Sequence, residues 1–221
     1  MFGLTAFKHG FFTRKDLVRF GWQQFKFIWR GESANSVSSI KDKALALIEG
    51  HKVSEFEAMG DEVYTEQISK RLWPESVRIA QEHIKAGREV WLVTATPQEI
   101  ADKIAHKLGL TGGLGTIVGR ENGIFTGELV GQPLHGKAKR KAVKALAKER
   151  GISLKRSYAY SDSRNDLPML TLVGNAVVVN PDNLLKEHAK AAGWPILDFK
   201  KRDLKTNEYH VVKKVKRRKR K

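Results

Sequence analysis

Residues 90–109 read VWLVTATPQEIADKIAHKLG and contain the two periodicities that decide the fold. The first five form a continuous, mainly apolar run that ends in Thr94, which is typical of a strand buried in a parallel sheet. Thr96, Pro97 and Glu99 then have the spacing of a helix capping box, and apolar residues recur at helical intervals until Gly109. This strand–helix unit predicts an α/β fold.

The same alternation continues toward the C terminus. A hairpin over 115–130 is expected to turn on Asn122-Gly123. The pattern then predicts a basic helix at about 136–150, a strand at 157–160 and a loop with a short helix at 162–173. A strand at 176–179, a helix at 182–192 and a last strand at 194–197 are expected to follow. We therefore predict a Rossmann-like, doubly wound and mainly parallel sheet.

The first 86 residues differ because their periodicity is helical throughout, at about 13–29, 36–49, 53–70 and 75–86. We expect an all-helical cap over 1–72, an α/β core over 73–205 and a basic, disordered tail over 206–221. The aromatic residues between Phe11 and Trp29 favour packing inside a helical subdomain. A helix at a membrane surface, or a lid, is the alternative.

Composition narrows the class of protein. The chain has no cysteine, which excludes disulfides, thiol catalysis and cysteine-ligated zinc. Hydrophobic residues make up 41%, enough to build a core. No signal peptide is recognisable, and no apolar run reaches the roughly 18 residues of a membrane span. We expect a cytoplasmic protein without a transmembrane segment.

The positive charge is concentrated at one end. The net charge is +17, and eight of the nine residues Lys213–Lys221 are Lys or Arg, so the rest of the chain carries +9. Such a tail can contact nucleic acid or an anionic membrane through counterion release, or it can serve solubility alone.

Several familiar motifs are incomplete. The seven residues GQPLHGK at 131–137 fit a P-loop pattern, but Ala138 follows where magnesium binding needs Ser or Thr. The glycines at 112–115 do not complete a dinucleotide fingerprint. The seven histidines show no metal-ligand spacing.

Three other features point to phosphate and magnesium. Thr94 lies at a predicted strand tip before a helix N-terminus, where a hydroxyl and backbone N–H groups can bind phosphate, although capping alone would also explain it. Lys139, near the start of a later helix, can add a point charge. Asp162 and Asp166 follow another strand, where carboxylates suit Mg²⁺; a helix cap plus a surface acid is the alternative.

The order strand–Thr, Lys, strand–Asp-x-x-x-Asp resembles the haloacid dehalogenase superfamily, in particular its phosphoserine phosphatase-like branch with a helical cap. VWLVTATPQEIADKIAHKLGL resembles the second motif of that branch, LHGKAKRKAVKALA the third and YAYSDSRNDLPML the fourth. The resemblance implies a Mg²⁺-dependent phosphatase that acts on a small phosphorylated metabolite through an aspartyl-phosphate.

The resemblance also implies residue roles. Phosphate binding falls to Thr94, Ala95, Thr96 and Lys139, although Lys137 is close enough to take the place of the lysine. Asp162 is the implied metal ligand, and Asn165 and Asp166 support the metal or its water shell.

One family motif is missing. Relatives begin with Asp-x-Asp-x-Thr, which supplies the nucleophile and the acid–base group, but no two of the nine aspartates here are separated by a single residue. We expect the central first strand and its nucleophile upstream of Met1. The alternative is a catalytically inactive relative whose basic tail binds nucleic acid or an anionic surface. The sequence does not specify the substrate.

Overall fold

The computed structural model describes residues 45, 46 and 48–199. The predicted helix at 13–29, most of the one at 36–49, the aromatic residues Phe11–Trp29 and the basic tail lie outside this range. Within it, no helix combines the length and apolar character needed to cross a bilayer.

The elements, in chain order, are α1 Val53–Val63, α2 Pro74–Lys85, β1 Trp91–Pro97, α3 Gln98–Lys107, β2 Gly112–Thr116, β3 Val118–Glu121, β4 Ile124–Leu129, α4 Lys137–Glu149, β5 Tyr158–Ser161, α5 Leu167–Leu170, β6 Asn175–Val179, α6 Asn183–Ala192 and β7 Ile196–Leu197. A π-helical turn at Tyr64–Ile68 and a 3₁₀ turn at Ser69–Arg71 extend α1. The helix predicted for 53–70 is thereby confirmed.

Two compact units divide the described residues. The first unit contains residues up to 72 together with 89–92 and 96–133, and the second contains 73–88, 93–95 and 134–199. The cap and core boundaries expected from the sequence remain predictions.

The first unit is built around α1, α3 and the β3–β4 hairpin. Phe56 and Phe125 are each 1% exposed, and their rings meet edge to face at 5.4 Å. The two antiparallel strands turn through Asn122 and Gly123, at φ 49° and 78°. Positive φ at both turn positions is the geometry that Asn-Gly favours, so the predicted hairpin is confirmed.

The sequence analysis did not predict β2 as a strand. A side-chain carbon on Gly113 would lie 2.7 Å from the backbone of Ala101, and one on Gly115 would lie 2.6 Å from the Cα of Gln98. These glycines let β2 lie directly against α3. Because glycine is a poor strand former, composition conceals a strand of this kind.

The prediction of a capping box formed by Thr96 and Glu99 is wrong. Thr96 is a strand residue, and Pro97 is the N-cap of α3 without a side-chain cap bond. The ring of Pro97 disfavours helical geometry at the preceding residue, so β1 runs three residues beyond the predicted end. Thr94 is therefore inside the strand rather than at its tip, and it is half-buried, not buried.

In the second unit, β5, β6 and β7 form a parallel sheet in that order. Its core consists of side chains from the sheet and the helices beside it: Leu170, Ala176, Val178, Leu185, Ala189 and Ile196. The parallel strands and covering helices confirm the predicted α/β class. The described strands form three small sheets, β1–β2, β3–β4 and β5–β6–β7, rather than one continuous sheet.

Candidate active site

A buried ion pair lies where β5 ends. Lys139 Nζ is 2.8 Å from Oδ1 and 3.0 Å from Oδ2 of Asp166, and each side chain is 11% exposed. The Ser161 hydroxyl donates to the same Oδ2 at 2.8 Å. Buried charges persist only when they are paired and hydrogen-bonded, so these three groups depend on one another.

Gly136 determines where α4 begins and therefore which way the Lys139 side chain points. It is the N-cap of α4, at φ 52° and ψ −116°, a backbone conformation that side-chain-bearing residues avoid. The helix begins at the next residue, so Lys139 falls on its inward face while Lys137 is exposed. The glycine before the lysine in GQPLHGK thus has a conformational explanation.

Hydroxyl groups shape the loop that carries Asp166. Ser161 Oγ accepts from the N–H of Ser163 at 3.2 Å, and Ser163 Oγ accepts from the N–H of Asn165 at 3.2 Å. A 3₁₀ turn over Arg164–Asp166 then directs the Asp166 carboxylate inward. The sequence analysis singled out neither serine, although serines two residues apart beside an aspartate are typical of such turns.

Asp182 ties this loop to α6. Its carboxylate accepts from the N–H of Leu185 at 2.8 Å and of Arg164 at 2.7 Å, while its own N–H donates to the Asp162 carbonyl at 2.9 Å. Desolvation works to raise the pKa of Asp182, but these backbone hydrogen bonds and the Arg164 charge together hold that pKa below its usual value.

The two aspartates of the predicted acidic pair have different surroundings. Asp166 uses both carboxylate oxygens on Lys139 and Ser161 and makes no cap bond to α5, so its carboxylate does not act as a helix cap. Asp162 is exposed, and its carboxylate makes no hydrogen bond or ion pair to the described residues. Asn165 is half-buried.

These residues fit Mg²⁺ in part. Asp162 offers one open carboxylate, and Mg²⁺ is commonly held by one or two carboxylates with water and phosphate in the other positions. Across residues 45, 46 and 48–199, no group of three or more His, Cys, Asp or Glu side chains could hold a metal ion. The described residues therefore do not form a complete metal site by themselves, and the role of Asp162 as a ligand remains a prediction.

The strand residues divide between the units. Thr94 and Ala95 belong to the second unit, with Lys139, Asp162, Asn165 and Asp166, whereas Thr96 belongs to the first. Ala95 and Thr96 are exposed. The structure thus groups most of the predicted site residues in one compact unit, and their roles remain predictions.

A parallel sheet with helices packed beside it defines an α/β protein of the Rossmann-like class. Residues 5–171 match the model of the haloacid dehalogenase-like hydrolase family. The chain belongs to this family, as the order of its motifs predicted.

Two curated relatives agree with this assignment, and one solved structure shares the fold. The chain is 50% identical over 199 residues to phosphoserine phosphatase SerB1 of Mycobacterium tuberculosis H37Rv, covering 90% of this chain and 64% of that one. It is 36% identical over 143 residues to histidinol-phosphatase of Neisseria meningitidis serogroup C, covering 63% and 64%. A Bordetella pertussis Tohama I protein of unknown function matches with TM-score 0.72 and 28% identity over 82% of each chain. The chain spans 64% of the length of both curated relatives.

Proposed function

We propose that this chain carries the phosphate-binding and metal-binding residues of a Mg²⁺-dependent phosphomonoesterase that works through an aspartyl-phosphate. The observation that carries the proposal is the buried Lys139–Asp166 pair, in the same compact unit as Thr94 and Asp162. The family to which the chain belongs supports the same reaction class.

Lys139 has the properties of a phosphate-stabilising group. Asp166, whose carboxylate also accepts from the Ser161 hydroxyl, holds the Lys139 ammonium in a buried position. A fixed cation there stabilises charge on a transferring phosphoryl group more strongly than a cation in bulk solvent does. The pairing also keeps the lysine in one position before substrate arrives, so little reorganisation is needed during reaction.

Thr94 and Asp162 complete the proposed arrangement. The Thr94 hydroxyl and the backbone of Ala95 bind phosphate oxygens. The exposed Asp162 carboxylate is the proposed metal ligand, and Asn165 supports the water around it. Mg²⁺, when bound, neutralises phosphate charge and helps to align the phosphoryl group.

The nucleophile is not among these 221 residues, which contain no Asp-x-Asp pair. The proposed mechanism requires a carboxylate from polypeptide outside them. That carboxylate attacks phosphorus, and the substrate alcohol leaves with a proton from a second carboxyl group. Water then attacks phosphorus and releases inorganic phosphate, which restores the carboxylate.

The proposed substrates are small phosphate monoesters. The two curated relatives are named for phosphoserine and for histidinol phosphate, which both carry an amine beside the phosphate ester. We therefore propose an amine-bearing phosphomonoester.

The test uses the protein together with any residues that its gene encodes before Met1. Phosphate release is measured with phosphoserine, histidinol phosphate and an aryl phosphate, with and without Mg²⁺. Thr94→Ala is expected to lower kcat/KM by at least about tenfold, because a hydrogen bond to a charged phosphate is lost. Asp162→Asn is expected to raise the Mg²⁺ concentration needed for half-maximal rate.

Two outcomes of that test contradict the proposal. Full activity of Thr94→Ala on all three esters would show that the Thr94 hydroxyl does not bind the phosphate. No turnover of any ester by a well-folded protein with Mg²⁺ indicates a catalytically inactive family member.

A further inference from the structure

A second group of cations lies on the opposite face of α4 from Lys139. At about 100° per residue, Lys141, Lys144 and Lys148 project roughly 140–200° around the helix from Lys139. The Lys139 side chain is buried, and the other three lysines are exposed. The two sets of lysines therefore belong to different surfaces of one helix.

The three lysines line a groove between α4 and the chain that returns beside it. Gly151, at φ 66°, reverses the chain, and the N–H of Ile152 donates to the Ala147 carbonyl at 2.8 Å. The groove has a volume of about 480 Å³. Its apolar floor is formed by Ala145, Ala147, Ile152 and Leu154.

The rim of the groove is positively charged. In the described part of the chain, none of Lys141, Lys144 and Lys148 has an ion-pair partner, and no carboxylate lines the groove. The outer two lie about 10 Å apart along the helix, at 1.5 Å per residue. An anion placed between them would gain favourable interactions with several ammonium groups at once.

The shape of the floor limits the kind of partner. Ala147 is 6% exposed, and Ile152 and Leu154 are half-buried, so these side chains do not protrude as membrane insertion requires. No aromatic side chain lines the groove on which a nucleic-acid base could stack. A second copy of a chain with net charge +17 is electrostatically disfavoured.

We propose that this groove binds a small amphiphilic anion, a molecule with a compact apolar body and a phosphate, sulfate or carboxylate head. The lysines bind the head, and the apolar floor and the lysine stems contact one side of the body. The volume lies within the range of about 300–1,000 Å³ that is usual for small-molecule sites. None of the proposed phosphatase residues lines this groove, so the two proposals are independent.

Calorimetric titration with octyl sulfate, below the concentration at which it forms micelles, tests the proposal. A phosphatase does not cleave this sulfate ester, and the full chain is expected to bind it at one site. Sodium sulfate alone and octanol alone are each expected to bind at least about tenfold more weakly, because each lacks half of the interaction.

Variants locate the binding site. The triple variant Lys141→Gln/Lys144→Gln/Lys148→Gln is expected to weaken octyl sulfate binding by at least about tenfold. The control Lys52→Gln/Lys85→Gln/Lys190→Gln removes the same charge from exposed positions elsewhere and is expected to leave binding unchanged. Ala145→Glu is expected to abolish binding; this exposed position tolerates a good helix former, so the protein should stay folded.

Three results overturn the proposal. The wild-type chain does not bind octyl sulfate, or the groove variants bind it as well as the control does. Alternatively, vesicles of equal parts phosphatidylcholine and phosphatidylglycerol bind through the same lysines while the soluble amphiphile does not, in which case the partner is a membrane.

Discussion

The ammonium of Lys139 contacts both carboxylate oxygens of Asp166 within 3.0 Å, although the residues are separated by 27 positions and belong to different elements. Both side chains are buried, so neither charge has water to replace its partner. The pair therefore joins the start of α4 to the loop after β5, and its integrity determines where the proposed phosphate-binding cation lies.

The first prediction concerns the stability of this pair. Lys139→Met leaves the Asp166 charge buried without its cation and is expected to lower the free energy of unfolding by about 3–5 kcal/mol. The double variant Lys139→Met/Asp166→Asn removes both charges and is expected to recover much of that loss. Urea denaturation of the wild type, of Lys139→Met, of Asp166→Asn and of the double variant measures the coupling, and strictly additive losses would contradict it.

Ser161 is expected to act through Asp166. Ser161→Ala removes its hydrogen bond to Asp166 Oδ2 and is expected to cost about 1 kcal/mol of stability. If the serine positions the pair for the proposed reaction, kcat should fall while KM stays nearly constant, measured on the protein with any residues that its gene encodes before Met1. Ser163→Ala, two residues on, is the control: it loses a turn bond but no bond to Asp166. Equal kinetic effects of both variants would show that loop stability alone matters.

Glu99 is expected to make stability depend on pH. Its side chain is 7% exposed, Oε1 is 4.0 Å from the Arg120 guanidinium, and Oε2 has no hydrogen-bond partner among the described residues. Burial raises the pKa of this carboxyl above its ordinary value. The protonated form therefore favours the folded state: the contribution is complete below the unfolded pKa of about 4.3 and is lost as pH rises through the folded pKa.

Glu99→Gln tests this relation, because it preserves the shape of the side chain and cannot ionise. Thermal unfolding should show the wild type losing stability relative to Glu99→Gln as pH rises from about 4 toward 8. Glu149→Gln, at an exposed position, is the control and should leave the profile unchanged. A constant difference between wild type and Glu99→Gln across this range would contradict the prediction.

His83 is expected to give the opposite dependence. The Arg88 guanidinium donates to its Nδ1 at 3.1 Å, so Nε2 carries the proton and donates to the Tyr160 hydroxyl at 2.9 Å. Burial, and then the positive charge of Arg88, lower the pKa of His83, although Glu82 opposes them. Tyr158 packs against the same ring.

Because the folded pKa of His83 is depressed, its contribution to stability is complete above the unfolded value of about 6.5 and is lost as pH falls through that value toward the folded pKa. His83→Gln is expected to be less sensitive than wild type to a fall from about pH 7.5 to 5.5. His106→Gln, at an exposed position on α3, should follow the wild-type curve. Identical curves of stability against pH for all three proteins would show that His83 does not cause the pH dependence.

The sequence predicted the kinds of element well, since strand and helix periodicities differ strongly in segments such as 90–109. It predicted Lys139 and Asp166 separately but not their contact, because spacing along two elements does not show which side chains meet. Ser161 and Asp182 were missed for the same reason. Strand β2 was not predicted because its glycines are poor strand formers, although they allow close packing against α3. The start of α3 was predicted too early because Pro97 disfavours helical geometry at the residue before it.

The central claim is that Lys139, fixed by Asp166, is the cation that stabilises the transferring phosphoryl group. The most direct test compares kcat/KM of Lys139→Met/Asp166→Asn, Asp166→Asn and Lys137→Met with Mg²⁺, after unfolding curves establish that all are folded. Each variant is made in the protein with any residues that its gene encodes before Met1. We predict that the double variant loses at least about a hundredfold, far more than Asp166→Asn, and that Lys137→Met stays within about twofold of wild type. A double variant no slower than Asp166→Asn, or a larger loss for Lys137→Met, would contradict the claim.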